Sequence, residues 1–258
     1  EGFFQTGSQF GNHMNVTLSQ VTAVILAGGF GTRVQHLLPG IPKPMASVAG
    51  RPFLEWVVRY LARQGISRAV ISTGHLAEVV EAHFRARPVP SITTTCVTET
   101  EPLGTGGGFL NAVRASGEEP AAWLVLNGDS LVFANLAVAA GALANPAYDG
   151  VIIGREVPDT SRYGTIVTGL DGELVRFAEK RPGQGVINAG IYLLRDSLAQ
   201  KFPGHRPLSL EKEVFPTLIG NGTKILVQTA ATPFLDIGTP ESLPQAEAFI
   251  RANLGQFA

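Results

Sequence analysis

Val21-Thr22-Ala23-Val24-Ile25-Leu26-Ala27-Gly28-Gly29-Phe30-Gly31-Thr32-Arg33 is the stretch on which the fold turns. Val21 to Ala27 is short, apolar and rich in β-branched residues, so it reads as a buried strand. The glycines that follow read as a tight loop. Phe53, Leu54, Val57, Val58 and Leu61 then recur at three- and four-residue spacing with Gly65 as a stop signal, the pattern of an amphipathic helix. The same alternation continues with a strand over Ala69 to Thr73, a helix over Leu76 to Arg85, a strand over Ile92 to Val97 and a helix over Thr105 to Ala115. A strand over Trp123 to Leu126 then ends in Asn127-Gly128-Asp129.

Strands apolar on both faces, alternating with helices, predict an α/β fold: a Rossmann-like, doubly wound, mostly parallel sheet with helices on both faces. Beyond Gly150 the texture changes. Short β-like runs at Val151 to Arg155, Thr165 to Thr168, Leu174 to Phe177 and Val186 to Leu194 predict a smaller antiparallel or mixed region, with helices near Leu210 to Ile219 and Pro240 to Ala252. The expected organisation is a single domain over residues 14–258, with one half to about residue 150 and a second half after it. Residues 1–13 lack any periodic pattern and end in a His-Met pair, so they read as a remnant of cloning with the native start at Met14.

The chain has 258 residues, 45% of them hydrophobic, enough to bury a substantial core. A formal net charge of -1 with 16% charged residues argues against a broad basic surface for nucleic acid or anionic lipid. Cys96 is the only cysteine, which excludes an internal disulfide framework and a cysteine-based zinc site and points to the cytoplasm. No window approaches the roughly 20 consecutive apolar residues of a membrane-spanning helix.

The strongest chemical signal is the loop Leu26-Ala27-Gly28-Gly29-Phe30-Gly31-Thr32-Arg33 followed by Pro42-Lys43-Pro44-Met45. Glycines after a first strand let backbone N–H groups approach phosphates closely, and Arg33 and Lys43 supply positive charge. No Gly-Lys-Ser/Thr follows, so this is not a Walker A loop, and the spacing differs from G-x-G-x-x-G. A glycine cluster alone is equally a plain tight turn. Prolines on both sides of Lys43 fix the backbone and aim one cation, an arrangement with little structural purpose.

These motifs resemble the nucleotidyltransferases that make nucleotide sugars, whose signature is a G-G-x-G-T-R loop with a P-K-P-M segment. The resemblance runs along most of residues 21–242, through Glu99-Thr100-Glu101-Pro102-Leu103-Gly104-Thr105-Gly106-Gly107, Gly128-Asp129, Glu179-Lys180, Asn188-Ala189-Gly190 and Asp236-Ile237-Gly238-Thr239-Pro240-Glu241. It implies transfer of a nucleoside monophosphate from a triphosphate to a sugar 1-phosphate with release of pyrophosphate. It also implies Mg²⁺ held by Asp129 and Asp236, cationic catalysis by Arg33, Lys43 and Lys180, and a sugar pocket lined by Gly164, Glu179 and Asn188. The nucleotide would lie on Leu26, Ala27, Gly28, Gly29, Gly31, Thr32, Glu99, Gly104 and Asp129. By charge alone, Glu179-Lys180-Arg181 is an ordinary solvated run.

The loop from Glu99 to Gly108 is where the family reads the base. Guanine offers a ring N–H beside an amino group, and a carboxylate accepts both; uracil and thymine flank one N–H with carbonyls, which a carboxylate repels. Glu99 therefore favours GTP, with Glu101 as the fallback. The run E-x-E-P-L-G-T-G-G resembles most the D-glycero-α-D-manno-heptose 1-phosphate guanylyltransferases, with mannose-1-phosphate guanylyltransferases as the near alternative. The expected product is a nucleotide sugar for surface polysaccharide such as capsule or lipopolysaccharide. Expected partners are GTP and a sugar 1-phosphate, with no nucleic acid and no membrane, and with a homo-oligomer left open.

Rival readings are a uridylyl- or thymidylyltransferase of the same fold and a non-catalytic subunit that senses nucleotide sugars. The sensor is disfavoured because Arg33, Lys43, Asp129 and Asp236 are all retained. A serine esterase, suggested by Gly128-Asp129-Ser130-Leu131, needs a late histidine paired with an aspartate, and the one late histidine, His205, lacks such a partner in sequence.

Overall fold

The computed structural model describes residues 16–161, 163–178 and 182–257. The strands are β1 (Val21–Ala27), β2 (Ser47–Val48), β3 (Arg51–Pro52), β4 (Arg68–Thr73), β5 (Thr93–Thr98), β6 (Ala122–Asn127), β7 (Ser130–Val132), β8 (Gly150–Val157), β9 (Thr165–Thr168), β10 (Leu174–Ala178), β11 (Gly185–Arg195), β12 (Ile225–Thr229) and β13 (Phe234–Asp236). The helices are α1 (Phe53–Gln64), α2 (Ala77–Ala86), α3 (Gly104–Ser116), α4 (Leu136–Ala142), α5 (Phe215–Gly220) and α6 (Ala246–Ala252). None of the described helices is long and apolar enough to cross a membrane.

One nine-stranded sheet runs in the order β10-β9-β11-β6-β1-β4-β5, with β8 and β12 joined to it through β11. β1 lies between β4 and β6 and is parallel to both. Flanked on both sides and covered on both faces, it is apolar at every position but Thr22, and Val21, Thr22, Ala23, Val24 and Ile25 are fully buried. Alternation along the strands divides the core in two. Ala23, Ile25 and Leu124 point to the face covered by α1, α2, α4 and α6, whereas Val24, Trp123 and Val125 point to the face covered by α3 and α5. This is the doubly wound arrangement expected from the alternating pattern.

α1 buries Phe53, Leu54, Val57, Val58 and Leu61 and stops at Gly65, which takes the left-handed conformation at φ +95° and returns its N–H to Ala62. Glycine has no Cβ to clash there, so it ends the helix at little cost.

The β-like runs of the second half do not form a sheet of their own. β11 pairs antiparallel with β6 and β8 and so extends the same sheet. β12, which the sequence pattern did not announce, lies parallel to β8. The expected helix from Pro240 is shorter than read. Thr239 and Ser242 form a hydrogen-bonded turn, Leu243–Gln245 is a 3-10 turn around Pro244, and α6 begins at Ala246. Near Leu210 the expected helix divides into a π turn, Leu210–Val214, and α5, with Pro216, which has no N–H to donate, just past the junction.

Candidate active site

The ends of β1, β5 and β6 open onto a cleft of about 370 Å³ bounded by Leu26, Ala27, Gly28, Gly29, Phe30, Lys43, Pro44, Glu99, Pro102, Leu103, Gly104, Thr105, Asn127 and Asp129. This is the carboxyl edge of the parallel strands, where open α/β sheets place their ligands. Eight of the sequence-predicted residues are therefore in one place: Leu26, Ala27, Gly28, Gly29, Lys43, Glu99, Gly104 and Asp129. Phe30, Pro44, Pro102, Leu103, Thr105 and Asn127 join them without having been singled out.

The glycine loop is shaped by close contacts as well as by conformation. A Cβ at Gly28 would stand 2.7 Å from Glu99 Oε1, and a Cβ at Gly31, where φ is +60°, would stand 2.9 Å from the Lys43 Cβ. These two glycines let the loop touch Glu99 on one side and the Lys43 segment on the other. Gly29 has open space around its Cβ position, so packing gives no reason for that glycine. Thr32 and Arg33 are exposed beyond the loop.

Glu99 leaves β5 with its N–H on Thr73 O at 2.7 Å. Ser72 Oγ donates to its Oε1 at 2.8 Å and Leu103 N donates to its Oε2 at 3.3 Å. The carboxylate is thus held by two donors on the cleft wall, and its remaining lone pairs stay open to further donors. Glu101 is exposed and lines a second, adjoining cavity with Phe30 and His75 instead. Ser72 is a buried polar residue at the end of an apolar strand, a signal that could have marked it beforehand.

Asp129 follows β6, and Lys43 Nζ forms an ion pair with its Oδ2. Asp236 ends β13, which pairs with β7 so that Asp236 lies opposite Ser130 and Ile237 N donates to Asp129 O at 2.9 Å. The short ribbon is what brings two carboxylates distant in sequence together. Burial raises the Asp236 carboxyl above the usual range, the neighbouring Asp129 raises it further, and Gly238 N–H, Lys43 and Arg33 pull in the opposite direction. Gly238 N donates to Asp236 Oδ1 at 2.6 Å, and a Cβ at Gly238 would stand 3.3 Å from Arg33 Nη2, so Arg33 reaches the Asp236 turn.

Asn188, Ala189 and Gly190 form a bulge where the register of β11 shifts. Gly190 has φ +72° and packs against the Asn127 side chain. Asn188 N donates to Gly164 O at 3.2 Å, which places those two predicted pocket residues side by side, with Gly164 exposed. The Asn188 side chain is braced at both ends: Gly190 N donates to Oδ1 at 3.0 Å, and Nδ2 donates to Tyr192 Oη at 2.7 Å. Gly164 and Asn188 are outside the lining of the main cleft, as are Gly31, Thr32, Arg33 and Asp236. Glu179, Lys180 and residues 1–13 lie outside the described residues. His205, the histidine an esterase would need, is an exposed side chain hydrogen-bonded to Glu213 at 2.7 Å.

A sequence model of the nucleotidyl transferase family matches residues 22–253. The chain is 35% identical over 232 residues to a mannose-1-phosphate guanylyltransferase of Mycobacterium tuberculosis, covering 89% of this chain and 64% of that protein, just under two thirds of its length. It is 32% identical to a D-glycero-α-D-manno-heptose 1-phosphate guanylyltransferase of Aneurinibacillus thermoaerophilus, covering 87% and 96%. The structure of HddC from Yersinia pseudotuberculosis complexed with GMP-PN superposes with a TM-score of 0.77 at 33% identity, covering 89% of this chain and 99% of that one.

Proposed function

The chain belongs to the nucleotidyl transferase family, and on that premise we propose that it transfers GMP from GTP to a manno-configured sugar 1-phosphate, heptose or mannose, releasing pyrophosphate. The observation that carries this reading is Glu99: a carboxylate braced on the wall of a cleft whose floor is a glycine loop. Guanine's ring N–H and amino group are the paired donors that such a carboxylate accepts. The two relatives above, both named as guanylyltransferases, support the same base.

The chemistry needs no nucleophile from the protein. A phosphate oxygen of the sugar 1-phosphate attacks the α-phosphorus in line, a new P–O bond forms, and the bond to the β-phosphate breaks with its electrons leaving on pyrophosphate. Gly28, Gly29 and Gly31 present backbone N–H groups to the triphosphate, and Lys43 and Arg33 offset the charge that develops on it. Lys180 would meet the sugar phosphate by the family resemblance.

Asp129 and Asp236 fit Mg²⁺: they are adjacent hard-oxygen donors, and the raised Asp236 carboxyl reflects two such groups set close together in a buried place. Bound there, Mg²⁺ would neutralise phosphate charge and supply Lewis acidity. Lys43, which pairs with Asp129, would meet the same phosphates. The product would be a nucleotide sugar for surface polysaccharide, made in the cytoplasm. The test is pyrophosphate release over a matrix of GTP, UTP, dTTP and ATP against mannose, manno-heptose and glucose 1-phosphates. Turnover confined to GTP with the manno sugars is expected, and preference for a pyrimidine triphosphate contradicts the reading.

A further inference from the structure

The run Gly104-Thr105-Gly106-Gly107-Gly108 invites a phosphate-loop reading, but its packing partner is protein. A Cβ at Gly104, where φ is +74°, would stand 2.5 Å from Leu208 O, and one at Gly106 would stand 3.0 Å from Val214 Cγ2. Leu208 N donates to Leu103 O at 2.8 Å, Gly106 N returns to Leu208 O at 2.7 Å, and Leu210 N donates to Thr105 Oγ1 at 2.9 Å. A segment of the second half is therefore latched onto the start of α3, behind the wall that Gly104 and Thr105 give the cleft.

A chain of side chains leads from that latch to the β11 bulge. Gly190 N–H fixes Asn188 Oδ1 as an acceptor, so Nδ2 faces Tyr192 Oη. The Tyr192 hydroxyl then donates to Glu211 Oε1 at 2.7 Å, because a carboxylate only accepts. Ser209 Oγ at 3.2 Å and Thr105 Oγ1 at 3.4 Å donate to Glu211 Oε2. Thr105 Oγ1 accepts from Leu210 N, which leaves its one proton for Glu211. Every donor direction is thereby set, and Tyr192 at the middle is fully buried.

We propose that Glu211 is a positioning residue for nucleotide binding: through the Thr105 hydroxyl it holds the start of α3 against the cleft, and through the Tyr192 hydroxyl it ties that position to the Asn188 bulge. The proposal rests on the reading of the cleft as the GTP site. Neither Glu211 nor Tyr192 lines the cleft, so their effect on nucleotide passes through Thr105. In a buried relay each lost hydroxyl strands two partners, which makes the members interdependent.

The test uses calorimetric GTP binding without sugar phosphate, together with amide hydrogen exchange of the free protein. Tyr192→Phe, which keeps the buried ring, is expected to weaken GTP about two- to tenfold, the range of one neutral hydrogen bond. Thr105→Val should lose a similar factor and Thr105→Ser should restore it. In the double variant of Tyr192→Phe with Thr105→Val the losses should fall short of additive. Exchange at Gly106, whose N–H donates to Leu208 O, should speed up in Tyr192→Phe while Val227 on β12 stays unchanged.

Unchanged GTP affinity in Tyr192→Phe with unchanged exchange at Gly106, or fully additive losses, overturns the proposal. Faster exchange at Gly106 and Val227 alike marks a general loss of stability and overturns it too. A wild-type protein that binds no GTP faults the functional reading instead. The exchange at Gly106 then decides the relay alone: selective acceleration upholds it and no change refutes it.

Discussion

Two glycines, one from each half of the molecule, do opposite work. Gly29 in the first loop has open space where a Cβ would go and no left-handed φ, so the fold makes no demand for glycine there. Gly190 in the β11 bulge sits at φ +72° with the Asn127 side chain against it, so the fold has no room for anything else. In the first half the loop keeps open space where the proposed nucleotide would lie. In the second half glycine turns a strand and packs it against Asn127 of the first half, so that a ligand bound there would meet side chains already braced by the protein.

The sharpest way to break this comparison lies at the ribbon where the halves meet. Asp129 comes from the first half and Asp236 from the second. If they serve one Mg²⁺, either Asp→Ala change should lower kcat by roughly 100- to 1,000-fold, the scale of losing a preorganised charge partner, with the fold retained by circular dichroism. Full activity in EDTA would undo the pairing.

Next in size is Lys43→Met. Losing a charged hydrogen-bond donor to the triphosphate should lower the rate roughly tenfold to a hundredfold and leave sugar-phosphate affinity nearly unchanged. Lost sugar-phosphate affinity with intact GTP binding would move Lys43 to the other half of the comparison.

The glycines themselves come third. Gly29→Ala should raise the KM for GTP with little change in Tm, whereas Gly190→Ala should cost about 1–2 kcal/mol of stability for the left-handed backbone alone, read as a lower urea midpoint. The reverse pattern would mean that the two loops had been assigned the wrong way round.

The smallest effect on activity is expected at Glu55, buried in α1 and bonded to Arg51, Arg59 and His83 at 2.6, 2.9 and 2.9 Å. Burial pushes its carboxyl up, but the bonds from Arg59, His83 and Arg51 outweigh that and hold it below the usual range. A lowered folded-state value contributes stability that is full above the unfolded carboxylate value of about 4.3 and fades as pH falls through the folded one. Glu55→Ala should therefore cost about 1–3 kcal/mol near neutral pH, the scale of lost hydrogen bonds to charged groups whose arginines can turn to water, and flatten the acid side of the stability profile, with base preference unchanged.

The same contrast explains what could be read from the sequence. β1, α1, β4, α2, β5, α3 and β6 were legible because each is a local period bounded by its own stop signal, and the Gly28 loop follows its strand directly. In the second half the runs that became β8, β9, β10 and β11 were legible too, but how they join the sheet depends on pairings across long separations. Nothing near Ile225 announces β12, and nothing near Leu208 announces its seat on Gly104 and Gly106. Read from sequence, Asn188 is a polar residue two positions before Gly190, marked as a pocket residue only by the family resemblance. That its amide is braced by Gly190 N–H and Tyr192 follows from a register shift that only the assembled sheet defines. Glu211 and Tyr192 escaped notice for the same reason.

The most direct test of the account is base choice at Glu99, because the claim of a guanylyl transfer rests on that carboxylate. Glu99→Gln keeps the shape and replaces one acceptor by a donor, so both hydrogen bonds to guanine cannot survive. A bidentate base contact is worth about 1–3 kcal/mol of discrimination. The ratio of kcat/KM for GTP to that for dTTP or UTP should accordingly fall by roughly tenfold to a hundredfold. An unchanged ratio in Glu99→Gln, with Glu101→Gln shifting it instead or with neither doing so, would contradict the assignment.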